Sequence, residues 1–198
     1  MAVREYGART ALVVVDVQND FAHPEGSLYV AGAPQAIAAA NREIERAREA
    51  GALVAYTQDW HPEQTPHFAR DGGIWPVHCV GGSWGAELHD ELLAPEDAPR
   101  VRKGVDGEDG YSGFTVRDVE RGEQAATELE GLLRLRGVEH VLVAGLATDY
   151  CVKETALDAL RLGFETTVLR DAIRAVDLEP GDGERALEAM REAGAQLA

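Results

Sequence analysis

Positive charge is scarce in this 198-residue chain: 19 Lys and Arg face 35 Asp and Glu, a net charge of −16 with His neutral. Phosphate backbones and anionic membrane surfaces are bound by clustered Lys and Arg, so neither nucleic acid nor membrane is expected as a partner. Cysteine is scarcer still, with Cys79 and Cys151 alone. Two thiols so far apart make no disulfide framework, and one or both are expected to be free. No apolar run approaches the roughly 18 residues of a membrane span. The start, Met1 to Thr10, mixes charges and lacks an apolar signal core. These absences together point to a soluble cytoplasmic protein. What is present is a 45% hydrophobic content, too high for an acidic disordered chain and suited to one domain over residues 1–198.

Short apolar runs alternate with longer amphipathic ones. Residues 11–15, with three Val, read as a buried strand. Pro34 opens a helix with Ile37, Ile44 and Ala47 on one face, and Gly51 stops it. Further strands are predicted at 53–57, 101–103, 141–144 and 166–169, and helices at 124–135, 149–162 and 184–192. A short helix is predicted at 84–93. Residues 59–85 form a long loop rich in His, Pro, Gly and Trp, and long loops in small domains are usually functional. Strand–helix alternation predicts an α/β fold, a three-layer α-β-α sandwich with a mostly parallel central sheet. In such a sheet, ligands sit beyond the carboxyl ends of the strands.

One acid, one metal-ligand pair, one base and one thiol fall at those ends. Asp16 directly follows the first strand, Asp59 and His61 follow the second, Lys103 ends the third, and Cys151 comes shortly after 141–144. Thr148 or Asp149 can cap a helix there, placing Cys151 in its first turn, where dipole and free N–H groups lower a thiol pKa and can hold an oxyanion. A buried packing thiol is the plain alternative. A Cys nucleophile needs a base, and Asp16 is placed to take its proton, with Lys103 stabilising both charges. The plain alternative for Asp16 and Lys103 is a structural ion pair.

The long loop carries a second group. Asp59, His61, His67 and His78 offer one carboxylate and three imidazoles, a donor set that suits Zn²⁺ or Fe²⁺ with positions left open. Their spacing matches neither a zinc finger nor a zincin, and loop histidines capping turns would produce the same residues. Cys79 reads as a packed thiol. Gly110-Tyr-Ser-Gly-Phe114 lacks the last Gly of a nucleophile elbow. Asp106-Gly-Glu-Asp-Gly110 lacks the register of a calcium loop and reads as a solvated turn. There is no Walker loop, Rossmann fingerprint or C-x-x-C.

Five segments occur in order: Asp16-Val-Gln-Asn-Asp-Phe21, Thr57-Gln-Asp-Trp-His-Pro62, Trp75-Pro-Val-His-Cys-Val80, Lys103-Gly104 with Tyr111-Ser-Gly-Phe114, and Gly145-Leu-Ala-Thr-Asp-Tyr-Cys-Val152. In these the chain resembles the nicotinamidase branch of the isochorismatase-like cysteine hydrolase superfamily, over nearly its whole length. The resemblance implies a catalytic triad of Asp16, Lys103 and Cys151. It implies metal ligands Asp59, His61 and His78, with His67 matching a further ligand of some members only. It also implies a cis Leu146–Ala147 peptide that turns the Ala147 N–H, with that of Cys151, toward an oxyanion. Phe21, Trp75 and Tyr111 would form the ring pocket.

The implied activity is hydrolysis of nicotinamide to nicotinate and ammonia through a cysteine thioester, with pyrazinamide also cleaved. The implied cofactor is one divalent metal, Zn²⁺ first, with Fe or Mn as alternatives. The implied partner is a small neutral aromatic amide, and a homo-oligomer stays open. Three other readings compete: an amidase of the same superfamily acting on a different small amide, carbamoyl or ureido compound; a zinc hydrolase using metal-bound hydroxide; and a binding module without activity.

Overall fold

The computed structural model describes residues 6–119 and 121–198; residues 1–5, the charged start noted above, and Glu120 lie outside the described residues. Strand β1 (Thr10–Val15) is the axis of the molecule: Ala11, Leu12, Val13, Val14 and Val15 are all fully buried. Burial on both faces is what a central parallel strand requires. The sheet has six strands in the order β3-β2-β1-β6-β7-β8, every pairing parallel, with β2 Leu53–Asp59, β3 Arg100–Lys103, β6 His140–Leu146, β7 Glu165–Arg174 and β8 Gln196–Leu197.

The alternation of side chains divides the core in two. Ala11, Val13, Val15, Val141 and Val143 face one layer with Leu129, Leu133, Ala156, Ala159, Leu187 and Met190. Those residues come from α3 (Leu129–Leu135), α4 (Lys153–Arg161) and α5 (Asp182–Glu192). Leu12, Val14, Val54, Tyr56, Leu142 and Ala144 face the other layer, against α2 (Ala33–Glu49). The expected three-layer α-β-α sandwich is therefore present, and its sheet is wholly parallel. Helix α2 begins at Gly32, whose φ of 83° suits glycine, has Pro34 in its first turn, and buries Ala33, Ala36, Ile37, Ala40, Ile44 and Ala47 at helical spacing. A four-residue helix, α1 (Asn19–Ala22), follows β1.

The departures from expectation have local causes. Residues 124–135 are not one helix. Gln124–Ala126 is strand β5, paired antiparallel with β4 (Thr115–Arg117), and the helix is only Leu129–Leu135. Gln124, Ala125 and Ala126 are exposed and bury no helical face, so strand pairing overrides the alanine preference. Thr127 then donates to Gly113 O at 2.6 Å and accepts from Leu129 N at 3.2 Å, which starts the helix. The helix expected over 84–93 shrinks to a 3₁₀ turn at Trp84–Ala86, because Leu88 bridges antiparallel to Gln18 and His89 N donates to Val17 O at 2.9 Å. Residues 149–162 split into a π turn, Thr148–Val152, and α4.

Gly145 joins fold to site. It sits where the β6–β7 register shifts, with φ 113°, and a Cβ there would lie 2.0 Å from the Val15 carbonyl oxygen. Gly145→Ala would push β6 off β1. It is expected to cost more than about 2 kcal/mol, measured by urea denaturation; wild-type stability would contradict this packing.

Candidate active site

Adjacent strands deliver the polar groups to one edge. Register pairs Asp59 with Lys103 across β2 and β3, and pairs Val15, just before Asp16, with Gly145 across β1 and β6. Asp16 has φ 47°, a left-handed conformation that turns its chain out of the strand. Asp16 N donates to Thr57 O at 3.2 Å, and Thr57 Oγ1 donates to Asp16 Oδ1 at 2.6 Å. Lys103, only 1% exposed, lies at the centre. Its Nζ is 2.8 Å from Asp16 Oδ2, 3.7 Å from Cys151 Sγ, and in direct contact with Asp59 Oδ1. Asp16 Oδ2 makes this ion pair and is wholly buried. Asp16, Asp59 and Cys151 also approach closely enough to hold a metal, but the Lys103 ammonium is already their shared cation.

Burial is the largest influence on each of these groups, and charge decides the outcome. Asp16 is raised by burial and by Asp59, against the pull of Lys103. Asp59 goes the other way: burial would raise it, but Lys103, His61 and His78 hold it down at about 2. Burial would lower Lys103, yet Asp16, Asp59 and Cys151 hold it well above its ordinary value, so it stays charged. The expectation of a depressed Cys151 thiol does not hold. Cys151 is in the π turn, 6% exposed, and burial with Asp16 and Asp59 pushes the thiol well up. The resting group is a thiol beside a carboxylate with a raised pKa. Asp149 does not cap the turn either; it accepts from Val176 N and Asp177 N at 3.0 and 2.9 Å and ties down the loop after β7.

The histidines form a cluster. Ligand atoms of His61, His67 and His78 all lie within 4.8 Å of one another, and all three residues are buried. His61 is brought to His78 by a parallel bridge between His61 and Val80. Both ring nitrogens of His61 are buried without a hydrogen-bond partner. Its Nδ1 faces Gly104, where a Cβ would come within 2.6 Å, and its Nε2 is 3.9 Å from Asp59 Oδ2. His78 Nε2 is also 3.9 Å from Asp59 Oδ2, while its Nδ1 is 2.7 Å from Pro76 O. The Nδ1 of His67 is 2.8 Å from Asp109 Oδ1. Burial lowers His61 to about 4 and lowers His78 as well, so both are neutral imidazoles at neutral pH, the form that ligates metal. The three imidazoles, with both His61 nitrogens unpartnered, are a donor group that fits a divalent cation, and Asp59 Oδ2 borders it at 3.9 Å from the Nε2 atoms of His61 and His78. Asp109 is thus no solvated turn residue; its bond to His67 holds the carboxyl below the usual range.

The cleft between these groups is lined by Phe21, Leu28, Trp75, Tyr111, Tyr150, Val176 and Leu178, with Asp59, His67, His78, Ala147 and Cys151. Nearly all of its surface is apolar. Trp75 Nε1 donates to Tyr111 Oη at 3.0 Å and its ring meets Tyr150 edge-on at 5.1 Å. The Leu146–Ala147 peptide is cis. The three pocket residues expected from sequence, Phe21, Trp75 and Tyr111, all line the cleft. Tyr150, beside Cys151 in the last of the five sequence segments, also lines the cleft, a place its neighbour could have signalled. Leu28, Val176 and Leu178 come from loops without a pattern. Cys79 is buried with Sγ 3.8 Å from Gly85 O, the packed thiol expected.

A family model described as the isochorismatase domain matches residues 10–198. The chain belongs to this family. It is 38% identical to the nicotinamidase of Escherichia coli (strain K12), over 94% of this chain and 93% of that protein. It superposes on the zinc complex of the pyrazinamidase of Pyrococcus horikoshii with a TM-score of 0.85 and 42% identity, covering 96% of this chain and 98% of that one. It superposes on PnC1 of L. infantum, in complex with nicotinate, with a TM-score of 0.87 and 36% identity, covering 98% and 94%. Among the described residues no helix is long and apolar enough to cross a membrane.

Lys103→Met leaves two buried carboxylates facing each other. In chelator-treated protein it is expected to cost about 3–5 kcal/mol at pH 8. The cost should shrink toward pH 5, because Asp16, already raised, then protonates and the repulsion goes. Urea titrations at both pH values check this; a cost that grows on acidification would refute the charge assignment.

Proposed function

We propose that this protein hydrolyses nicotinamide to nicotinate and ammonia through a thioester on Cys151, and that pyrazinamide is a second substrate. The observation that carries the reading is the Asp16–Lys103–Cys151 cluster opening into an apolar cleft that it shares with the histidine group. An apolar, aromatic-lined cleft suits a neutral aromatic ring better than a carbamoyl or ureido compound, whose polar groups would be left unpaired there. The nicotinamidase of E. coli, the zinc-bound pyrazinamidase and the nicotinate complex support the same substrate class. A reducing cytoplasmic setting suits the two free cysteines.

Asp16 Oδ2 accepts the Cys151 proton, and the thiolate attacks the amide carbonyl carbon. The Ala147 and Cys151 N–H groups donate to the oxyanion, as donors aimed at developing charge do. Asp16 returns the proton to the departing nitrogen, and ammonia leaves. Asp16 then takes a proton from a water that attacks the thioester carbonyl, the C–S bond breaks, and Asp16 returns that proton to the Cys151 sulfur; the nicotinic acid leaves and ionises to nicotinate, its proton going to the released ammonia. Lys103 keeps its charge throughout and balances whichever of the thiolate and the Asp16 carboxylate is present. Asp59, His61, His78 and His67 would hold Zn²⁺, which supplies a Lewis-acid contact that orients the pyridine ring. Phe21 and Trp75 flank the ring. Tyr111, pushed up to about 12 chiefly by burial, stays protonated and keeps a donor at the pocket wall.

Two outcomes are expected. Cys151→Ala should abolish ammonia release from nicotinamide while Zn²⁺ content, read by mass spectrometry, is unchanged; full release by this variant would end the covalent route. Thr57→Val removes a donor to the Asp16 carboxylate and so raises its pKa further. Asp16 must be ionised to act, so the acid limb of kcat/KM should move up by about one pH unit. A limb that stays put would remove Asp16 from the role of base.

A further inference from the structure

His67 lies on the long loop between β2 and β3, and it is the one histidine of the cluster whose ring is gripped by a carboxylate. Its Nδ1 is 2.8 Å from Asp109 Oδ1, whereas His78 uses a backbone carbonyl and His61 has no partner. A carboxylate only accepts, so a hydrogen bond to it calls for the proton on Nδ1. That bond also sets the ring plane, which stacks on His61 at 4.5 Å between centroids and 21° between planes.

Asp109 is itself held from a separate part of the fold. Its N–H donates to Arg117 O at 2.8 Å and its carbonyl accepts from Arg117 N at 2.6 Å, an antiparallel bridge to β4. Gly110 N donates to Asp109 Oδ1 at 2.9 Å, and Arg117 Nη2 lies 3.7 Å from Asp109 Oδ2. The β4–β5 hairpin thus holds the carboxylate that a loop histidine leans on.

We propose that Asp109 is a positioning residue for the metal centre, fixing the tautomer and ring plane of His67 so that its Nε2 completes the Zn²⁺ site. The proposal rests on the reading of His67 as a ligand. A carboxylate behind a ligating imidazole also raises its basicity, and losing such a partner typically weakens metal binding by about 10- to 100-fold.

Purified protein is stripped of metal, and Zn²⁺ is titrated in competition with a chromophoric chelator. Asp109→Ala is expected to weaken Zn²⁺ by about 10- to 100-fold, and Asp109→Asn, whose amide oxygen still accepts from Nδ1–H, by less. Asp109→Ala should also shift the visible absorption of the Co²⁺-substituted protein. Arg117→Ala, which loses the ion pair but keeps the His67 contact, should do neither. The deciding comparison is His67→Ala with and without Asp109→Ala: if Asp109 acts through His67, the second change adds no further loss. Full additivity, or wild-type affinity in Asp109→Ala, would overturn the inference. Wild-type affinity in His67→Ala would instead overturn the reading of His67 as a ligand, and the inference with it.

Discussion

The site depends on one buried ammonium. Lys103 Nζ touches Asp59 and lies 2.8 Å from Asp16 and 3.7 Å from Cys151, and its side chain is buried. An ammonium buried alone would cost several kcal/mol, so its partners must be charged. Two carboxylates overcompensate one cation, and the two carboxylates divide accordingly. Asp59, with the histidines on its far oxygen, stays ionised, whereas Asp16 carries the marginal charge. A carboxylate in that position is a base poised to accept. Moving the Cys151 proton to Asp16 leaves the net charge of the cluster unchanged, and in the proposed mechanism that lets a thiol with a raised pKa serve as the nucleophile.

The same contact connects two kinds of chemistry. Asp59 offers Oδ1 to Lys103 and Oδ2 to His61 and His78, so one side chain borders both the thiol cluster and the metal group. The strand order β3-β2-β1-β6 puts Lys103, Asp59, Asp16 and the Cys151 turn side by side. The β6–β7 register shifts at Gly145, and the π turn that follows β6 carries Cys151 to the cleft wall. Asp149 then ties the loop bearing Val176 and Leu178 to that turn, so Cys151 and the apolar rim are positioned together.

The sheet was readable because a buried parallel strand leaves an uninterrupted apolar run, as residues 11–15 do, and because a polar residue right after such a run must face the strand ends. Asp16, right after such a run, was therefore legible, as were Lys103 at the end of its strand and Cys151 in the turn after β6. Residues 124–126 misled, since alanine favours helix locally and only the distant pairing with 115–117 makes a strand. The Cys151 pKa misled for a related reason: a helix start predicts stabilised charge, but the depth of burial is a tertiary property. Asp109 was hidden for the same cause. Nothing near it in sequence says that a glycine-rich turn will meet His67, which lies 42 residues earlier.

In the proposed reaction Cys151, drained of its proton by Asp16 beside Lys103, becomes acylated. The direct measurement is rapid mixing of the zinc-loaded protein with nicotinamide, acid quenching, and mass spectrometry of the cysteine peptides. A nicotinoyl group on the Cys151 peptide that rises and decays with turnover, with the Cys79 peptide unmodified, is the predicted result. Complete turnover with no acyl group on Cys151 at any time, or an acyl group on Cys79, would contradict the account.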